Sequence, residues 1–160
     1  MIKISFAMLR ANYPAKTHVS KDELYGSIGH EKLAKDFNWD NTCAVRVSLA
    51  LIASGVRVPG HMRVNAGRYK GRLFQPGQAK LSDFLARPTV LGKPEIYTTS
   101  VSALMAVRGR TGIISFFGLL GGTDTQGHID IVFPGGDYAD PTCGNSCYWS
   151  SNTVWFWPIK

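Results

Sequence analysis

The hydrophobic pattern of the first two thirds of the chain has the period of helices. Its clearest example is CAVRVSLALIASG, residues 43–55, in which Val45, Leu49 and Ile52 follow helical spacing. Gly55 is a typical stop signal after the last periodic residue. Because most other positions of this stretch are also apolar, we predict a buried, central helix. Weaker patterns predict helices over residues 5–13, 21–37 (interrupted by Gly26 and Gly29), 79–86 and 101–107.

The last third of the chain changes to the pattern of strands. GIISFFGLL, residues 112–120, is a continuous apolar run of strand length, and HIDIVF, residues 128–133, alternates between apolar and polar positions. A Pro-Gly-Gly turn is predicted at 134–136, and TVWFW at 153–157 gives a last strand. Residues 95–99 add a short strand. Helices followed by closely spaced strands predict an α+β fold with an antiparallel sheet.

Length and composition fit one folded domain that spans residues 1–160. The chain is 44% hydrophobic and only 18% charged, which excludes a disordered chain. No apolar run approaches the roughly 20 residues that a membrane span needs, so we expect no membrane insertion. Arg10 interrupts the segment that a cleavable signal peptide would keep apolar. The protein therefore either stays in the cytoplasm or leaves it by a route that reads no such signal.

The charge balance is basic, with 18 Lys and Arg against 11 Asp and Glu. A net charge of +7 favours an anionic partner, such as nucleic acid, a lipid surface, an acidic protein or an acidic cell-wall polymer. The densest basic stretch, residues 63–72, has glycines between its charges and reads as a solvated loop. Since neither a groove-filling helix nor a stacking platform accompanies it, we expect no nucleic-acid binding.

Two of the three cysteines form a close pair, Cys143 and Cys147, in the sequence DPTCGNSCYW. A disulfide, two zinc ligands and a pair of reduced thiols are the possible interpretations. The zinc site lacks further ligands at a typical spacing, so the disulfide is favoured, and we expect no metal and no cofactor. A disulfide indicates an oxidising compartment such as the periplasm. Cys43 then remains as a free thiol.

Cys43 lies at the predicted start of the central helix, after the capping residues Asn41 and Thr42. Unpaired backbone N–H groups and the helix dipole stabilise an anion at this position, and the thiolate is the reactive form of cysteine. The alternative interpretation is a small buried hydrophobic residue, which lone cysteines usually are.

His128 makes the nucleophilic interpretation of Cys43 stronger. It opens a predicted strand, and Gly127 before it leaves space beside the ring. A cysteine at a helix start that faces a histidine at a strand start is the arrangement of a cysteine hydrolase. A third group would orient the imidazole. Asp130 shares the face of His128, so we expect it alongside the ring and paired with a cation; the other candidates are Asp137, Asp140 and Asn145.

The segment NTCAVRVSLAL, residues 41–51, resembles the nucleophile segment of the fourth family of type VI secretion amidase effectors. The family pattern is a cysteine, a small residue, an apolar residue, Arg, an apolar residue and Ser, as found from Cys43 to Ser48. The sequences GIISFF, GHIDIVF, CGNSC and VWFWPI follow in family order. This resemblance implies a papain-like, NlpC/P60-type fold with N-terminal helices, a central nucleophile helix and an antiparallel sheet.

The resemblance also implies the roles of the site residues. Cys43 is the nucleophile and His128 the general base. The third residue of the family can be an Asp between the paired cysteines, and that position holds Asn145 here. The oxygen of a neutral amide can still accept from the imidazole, as in a Cys-His-Asn site. Asp140 stays open as the rival for this role.

The implied activity is that of a DL-endopeptidase, which cleaves the peptidoglycan stem peptide between D-glutamate and meso-diaminopimelate. The type VI secretion machinery would deliver the protein from the cytoplasm, without a cleavable signal peptide, into the periplasm of a neighbouring bacterium. A cognate immunity protein would protect the producing cell. The alternatives are another papain-like protease, a transglutaminase or acyltransferase with the same catalytic pair, and a non-catalytic basic protein that binds cell wall or nucleic acid.

Overall fold

The computed structural model describes residues 2–119, 126–136 and 140–160. These residues form a five-stranded antiparallel sheet with helices packed on it. The helices are α1 (Phe6–Ala11), α2 (Lys21–Ser27), α3 (Glu31–Ala34), α4 (Cys43–Ala53), α5 (Gln78–Leu85) and α6 (Ser100–Val107), with a 3₁₀ turn at Phe37–Trp39. The strands are β1 (Met62–Arg63), β2 (Leu73–Phe74), β3 (Glu95–Tyr97), β4 (Gly112–Leu119), β5 (Gly127–Gly135), β6 (Asp140–Cys143) and β7 (Ser151–Pro158).

The sheet has the strand order β3-β7-β4-β5-β6, and every neighbouring pair is antiparallel. β1 and β2 form a separate two-stranded ribbon. In the described residues, β6 pairs only with residues 132–135 of β5, so the preceding part of β5, residues 127–131, lies at the edge of the sheet. The predicted α+β fold with an antiparallel sheet is confirmed.

The central helix α4 is buried as its pattern predicts. Ten of its eleven residues, from Cys43 to Ile52, are buried, and the helix packs against β5, β2, α1 and α5. Gly55 adopts a φ of +89°, a left-handed conformation that glycine adopts without a steric penalty, so the predicted stop is confirmed as well. α4 is thereby packed, from Cys43 onward, inside the fold and against β5.

Three sequence expectations need correction. The single helix predicted over 21–37 is wrong: Gly29, at a φ of +74°, separates α2 from α3, and the extended backbone of Asp36 separates α3 from the 3₁₀ turn. The basic loop at 63–72 closes as the β1–β2 hairpin, because Val64 exchanges backbone hydrogen bonds with Gly71 and Arg72. The Pro-Gly-Gly turn begins later than predicted, since β5 continues to Gly135.

In the described part of the chain, no helix combines the length and the apolar character that a bilayer crossing requires.

Arg46 lies inside the buried helix α4 and is only 1% exposed. Its Nε donates to the Thr42 hydroxyl at 2.8 Å, and its Nη1 donates to the carbonyls of Pro14 and Val19 at 2.5 and 2.8 Å. Burial lowers the pKa of the guanidinium, an effect that the neighbouring Tyr13, Tyr25 and Asp130 oppose. Arg46 therefore ties the segment after α1 to α4.

We expect Arg46→Met to destabilise the fold because the two backbone carbonyls would stay buried without a donor. At about 1–3 kcal/mol for each unpaired group, the free energy of unfolding should fall by roughly 2–6 kcal/mol. Urea denaturation followed by circular dichroism measures this change. The exposed Arg57 provides the matched control, and Arg57→Met should stay within about 0.5 kcal/mol of the wild type. Equal losses in the two variants would contradict the role given to Arg46.

Candidate active site

Cys43 is the first residue of α4 and the free cysteine of the described chain. Cys43 is only 3% exposed, yet it lines a cleft of about 550 Å³ between the start of α4 and the loop before α5. We call this cleft the Cys43 cleft. The backbone N–H of Cys43 donates to Asn41 Oδ1 at 3.3 Å, whereas the Thr42 side chain makes no capping bond. The predicted cap thus comes from Asn41, and the thiol is placed where a substrate can reach it.

His128 lies at the sheet edge, in the first part of β5, and is 4% exposed. Its ring packs against those of Phe116, at a centroid distance of 6.1 Å, and Tyr148, at 4.6 Å, and these two rings also contact each other. Burial by itself would lower the pKa of His128, but hydrogen bonds to Asp130 and Cys43 and the charges of these two groups outweigh it and raise the pKa to about 9. The structure brings the predicted pair of Cys43 and His128 together.

Asp130 is the side chain that holds the imidazole. It is fully buried, and its Oδ2 lies 3.2 Å from His128 Nε2. Four further donors surround the carboxylate: on Oδ1 the Tyr13 hydroxyl at 2.6 Å and the Ile131 N–H at 2.8 Å, and on Oδ2 the N–H groups of Asn145 at 2.8 Å and Ser146 at 3.1 Å. Such a set of donors fixes the carboxylate in one orientation.

The expectation that Asp130 pairs with a nearby cation and leaves the ring to another residue is therefore corrected. Alternate residues of a strand share a face, and a long side chain reaches along the strand to the next one on that face. His128 and Asp130 are such a pair. The imidazole extends along β5, so its far nitrogen meets the carboxylate.

Asn145 does not reach the histidine with its side chain. Its Oδ1 accepts from the Lys16 N–H at 2.7 Å and its Nδ2 donates to the Tyr13 hydroxyl at 2.5 Å, while its backbone N–H bonds to Asp130. Asp140 is also turned away, in an ion pair with Arg108 at 2.9 Å on an exposed surface. The structure thus brings neither side chain to the ring, and Asp137 lies outside the described residues.

The predicted disulfide between Cys143 and Cys147 is confirmed, with a Cα–Cα distance of 5.3 Å. It closes the loop that carries the two N–H donors of Asp130 Oδ2. Sulfur atoms joined in a disulfide are not zinc ligands, which removes the metal interpretation of this pair. Within the residues described, no three His, Cys, Asp or Glu side chains gather into a group that would hold a metal ion.

The Cys43 cleft is lined mostly by uncharged polar groups. Among its described lining residues no side chain is acidic, and Lys80 carries the one permanent charge. Gln78 closes the side next to the histidine strand: a Cβ on Gly127 would lie 2.1 Å from Gln78 Oε1. The space that Gly127 leaves is therefore filled by an amide, and the cleft favours an anionic or strongly polar ligand.

Tyr13 was missed by sequence reasoning. Its hydroxyl bridges Asp130 and the Asn145 side chain, and burial raises its pKa further, so the hydroxyl keeps its proton and donates. No local pattern around Tyr13 indicates this position, because the partner lies 117 residues further along the chain. For Asp130 a signal existed, namely its spacing of two residues from His128.

Comparison with known proteins agrees with the geometry. The family described as Tae4, type VI secretion system amidase effector protein 4, matches residues 39–157. No curated protein sequence matches significantly. Among solved structures, Tae4 from Enterobacter cloacae aligns with a TM-score of 0.73 at 22% identity, covering 99% of this chain and 98% of that one. Tae4 in the Tae4–Tai4 effector–immunity complex from Salmonella Typhimurium aligns with a TM-score of 0.71 at 18% identity, covering 99% and 100%. Since the family match spans well over half of the sequence, the chain belongs to the Tae4 family of type VI secretion system amidase effectors.

Proposed function

We propose that this protein is a papain-like, NlpC/P60-type cysteine amidase, a single domain over residues 1–160, that hydrolyses a stem-peptide bond of peptidoglycan. The observation that carries the proposal is the contact of His128 with the buried Asp130, beside Cys43, whose proximity contributes to the raised pKa of His128, at the wall of an open cleft. Membership in an amidase effector family supports the same reaction class.

The reactive form of the proposed site is an ion pair of the Cys43 thiolate and the His128 imidazolium. With its pKa raised to about 9, His128 carries a proton at neutral pH. Because Nε2 is engaged by Asp130, the other ring nitrogen is the one left to face Cys43. Asp130 thereby selects the ring orientation in which the imidazolium can deliver its proton to a leaving group.

Hydrolysis then proceeds by acyl transfer. The Cys43 sulfur forms a bond to the carbonyl carbon, and the carbonyl electron pair moves to the oxygen. As the pair returns, the C–N bond breaks and the amine leaves with the proton of His128. The neutral imidazole next takes a proton from water, whose oxygen attacks the thioester. Breaking the C–S bond releases the acid product and restores the ion pair.

The bond that we propose as the substrate is the one between D-glutamate and meso-diaminopimelate. The support is the resemblance of the nucleophile segment to the effector family, together with a cleft that holds Lys80 and no described acidic side chain. A stem peptide carries free carboxylates beside this bond, and a positive cleft attracts them.

Delivery and protection follow from family membership. We propose that the type VI machinery carries the protein, without a cleavable signal peptide, into the periplasm of a target bacterium, where the Cys143–Cys147 disulfide persists. Relatives with the same fold were solved as complexes of Tae4 with Tai4. A cognate immunity protein of this kind would block the Cys43 cleft in the producing cell.

Mass spectrometry of purified sacculi after digestion tests the substrate assignment. The expected products have a free amino group on diaminopimelate and a free γ-carboxyl on D-glutamate. Protein alkylated at Cys43 with iodoacetamide serves as the blank. Cleavage at another bond would overturn the assignment, and so would sacculi whose stem peptides remain uncut. An added amine that appears in the product as an amide would instead identify an acyltransferase.

A further inference from the structure

Gln75 lies between β2 and α5 and lines the Cys43 cleft, although its residue is only 8% exposed. Its backbone is fixed to the nucleophile helix: Ser48 Oγ donates to the Gln75 carbonyl at 2.9 Å and accepts from the Gln75 N–H at 3.2 Å. Because Ser48 is on α4, the helix that begins at Cys43, the position of Gln75 relative to the nucleophile is set by buried contacts.

The orientation of the Gln75 amide follows from a single contact. The Gly77 N–H donates to Gln75 Oε1 at 3.0 Å, and since an N–H can only donate, the oxygen must occupy this side. Gln75 Nε2, on the other side, has no hydrogen-bond partner in the described part of the chain. Every fully buried side-chain nitrogen and oxygen there does have one. Nε2 therefore reaches solvent, and it does so in the cleft that Gln75 lines.

The other amides that line the cleft are already engaged or exposed. Gln78 Nε2 donates to Ser115 at 2.5 Å, Asn41 Nδ2 to the Gly127 carbonyl at 3.4 Å, and Asn38 Nδ2 to Asp36 at 3.0 Å. Gln126 is exposed. Of these described lining residues, Gln75 combines a nearly buried, fixed amide with unused N–H groups.

An acyl-transfer site needs donors for the oxygen that becomes negative when sulfur adds to the carbonyl. The Cys43 N–H at the helix start is the expected donor, but it is turned to Asn41 Oδ1. At 3.3 Å this bond is long, and an oxyanion can displace the amide oxygen. An oxyanion site usually has two hydrogen-bond donors, and the Cys43 N–H supplies one of them, so a second donor is needed.

We propose that Gln75 is a catalytic residue whose Nε2–H donates to the carbonyl oxygen of the substrate while the Cys43–carbon bond forms. This assignment rests on the proposed cysteine chemistry. In the addition step the sulfur lone pair becomes the S–C bond and the carbonyl π pair moves to oxygen, where Gln75 binds it. The amide keeps its proton throughout, so no proton is gained or lost by Gln75.

Two electrophiles separate this role from effects on the thiolate. Acylation of Cys43 by p-nitrophenyl acetate passes through an oxyanion, whereas alkylation by iodoacetamide displaces iodide at a saturated carbon and forms none. In Gln75→Met, which lacks the donor, we expect acylation to slow by about 10²–10³-fold, the effect of removing one oxyanion donor. Alkylation should stay close to the wild-type rate.

A second Gln75 variant tests whether the slower acylation comes from a distorted loop, and a control variant tests whether it comes from the added charge. Gln75→Glu keeps the Oε1 acceptor for Gly77 but loses the donor, so it should slow acylation at least as much. Gln126→Glu adds the same charge to the cleft without removing a proposed donor, so its ratio of acylation to alkylation by the two uncharged electrophiles should stay at the wild-type value. On the L-Ala-γ-D-Glu-diaminopimelate peptide, Gln75→Met should lower kcat and leave KM nearly unchanged.

The rates of acylation, alkylation and peptide hydrolysis separate the role of Gln75 from the proposed substrate. Wild-type acylation rates in both Gln75 variants would overturn the role, and so would an equal fall of acylation and alkylation in Gln75→Met, which would mean that Gln75 acts on the sulfur itself. If the wild type reacts with both electrophiles but leaves the peptide intact, the proposed substrate fails. The ratio of acylation to alkylation still decides the role of Gln75.

Discussion

Replacing Cys43 with alanine is expected to abolish hydrolysis of the stem peptide, with kcat/KM lower by about 10⁴-fold or more. Without sulfur no thioester forms, and the groups that remain in the cleft can only polarise the carbonyl. The rate of amine release from the L-Ala-γ-D-Glu-diaminopimelate peptide measures the effect. Cys43→Ser is the matched variant, since its hydroxyl keeps the shape of the site but is a far weaker nucleophile than a thiolate beside an imidazolium.

The loss must be separated from unfolding, because Cys43 is buried at the start of α4. Removing one small buried atom costs about 1 kcal/mol of stability, so both variants should keep the wild-type circular dichroism spectrum. A folded Cys43→Ala protein that still releases stem-peptide fragments would refute the nucleophile assignment and favour a different site.

Asp130→Asn is expected to give the second largest loss, a fall in kcat of about 10³–10⁴-fold, because an amide can favour the wrong tautomer of the histidine. The pH profile should change as well. Hydrogen bonds and charges from Asp130 and Cys43 raise the pKa of His128 to about 9, so activity that needs the imidazolium should fall as pH rises through about 9. Without the carboxylate charge the pKa of His128 drops, and the alkaline limb of kcat/KM should move to lower pH.

Asn145→Ala is the control that separates the two candidates for the third residue. This change removes the side-chain bonds to Tyr13 and Lys16 but keeps the backbone N–H that donates to Asp130. We expect a loss of less than about tenfold and an alkaline limb that stays in place, since the charge beside His128 is unchanged. A loss as large as that of Asp130→Asn, with a shifted limb, would return the orienting role to Asn145.

The elements that carry Cys43 and His128 could be predicted because their signals are local. The run from Cys43 to Ile52 has a helical apolar pattern and a glycine stop, and the strand that holds His128 alternates. The four-residue spacing of Cys143 and Cys147 suits a disulfide in a turn. Each of these features depends on residues within about a dozen positions of one another, and within that range backbone geometry alone fixes which side chains are neighbours.

The choice among the candidates for the residue beside the imidazole could not be made in this way, although the two-residue spacing of Asp130 from His128 was a signal. Asn145 matched a family position, but a match in sequence does not say whether the backbone or the side chain meets the site; here the backbone N–H bonds to Asp130 and the side chain turns to Tyr13. The 21–37 segment shows the same limit, because the break at Gly29 depends on its contact with the β1–β2 hairpin.

The sequence by itself determined the α+β class, the cysteine at a buried helix start, the histidine at a strand start and the disulfide. Only the tertiary structure decided that Asp130 contacts His128 and that Gln75 lines the Cys43 cleft with its Oε1 bound to the Gly77 N–H. Both choices depend on segments far apart in the chain: Tyr13 and Asp130 are separated by 117 residues, and Ser48 and Gln75 by 27. Hydrogen-bond partners at such separations are selected by how the helices pack on the edge of the sheet, which no local pattern encodes.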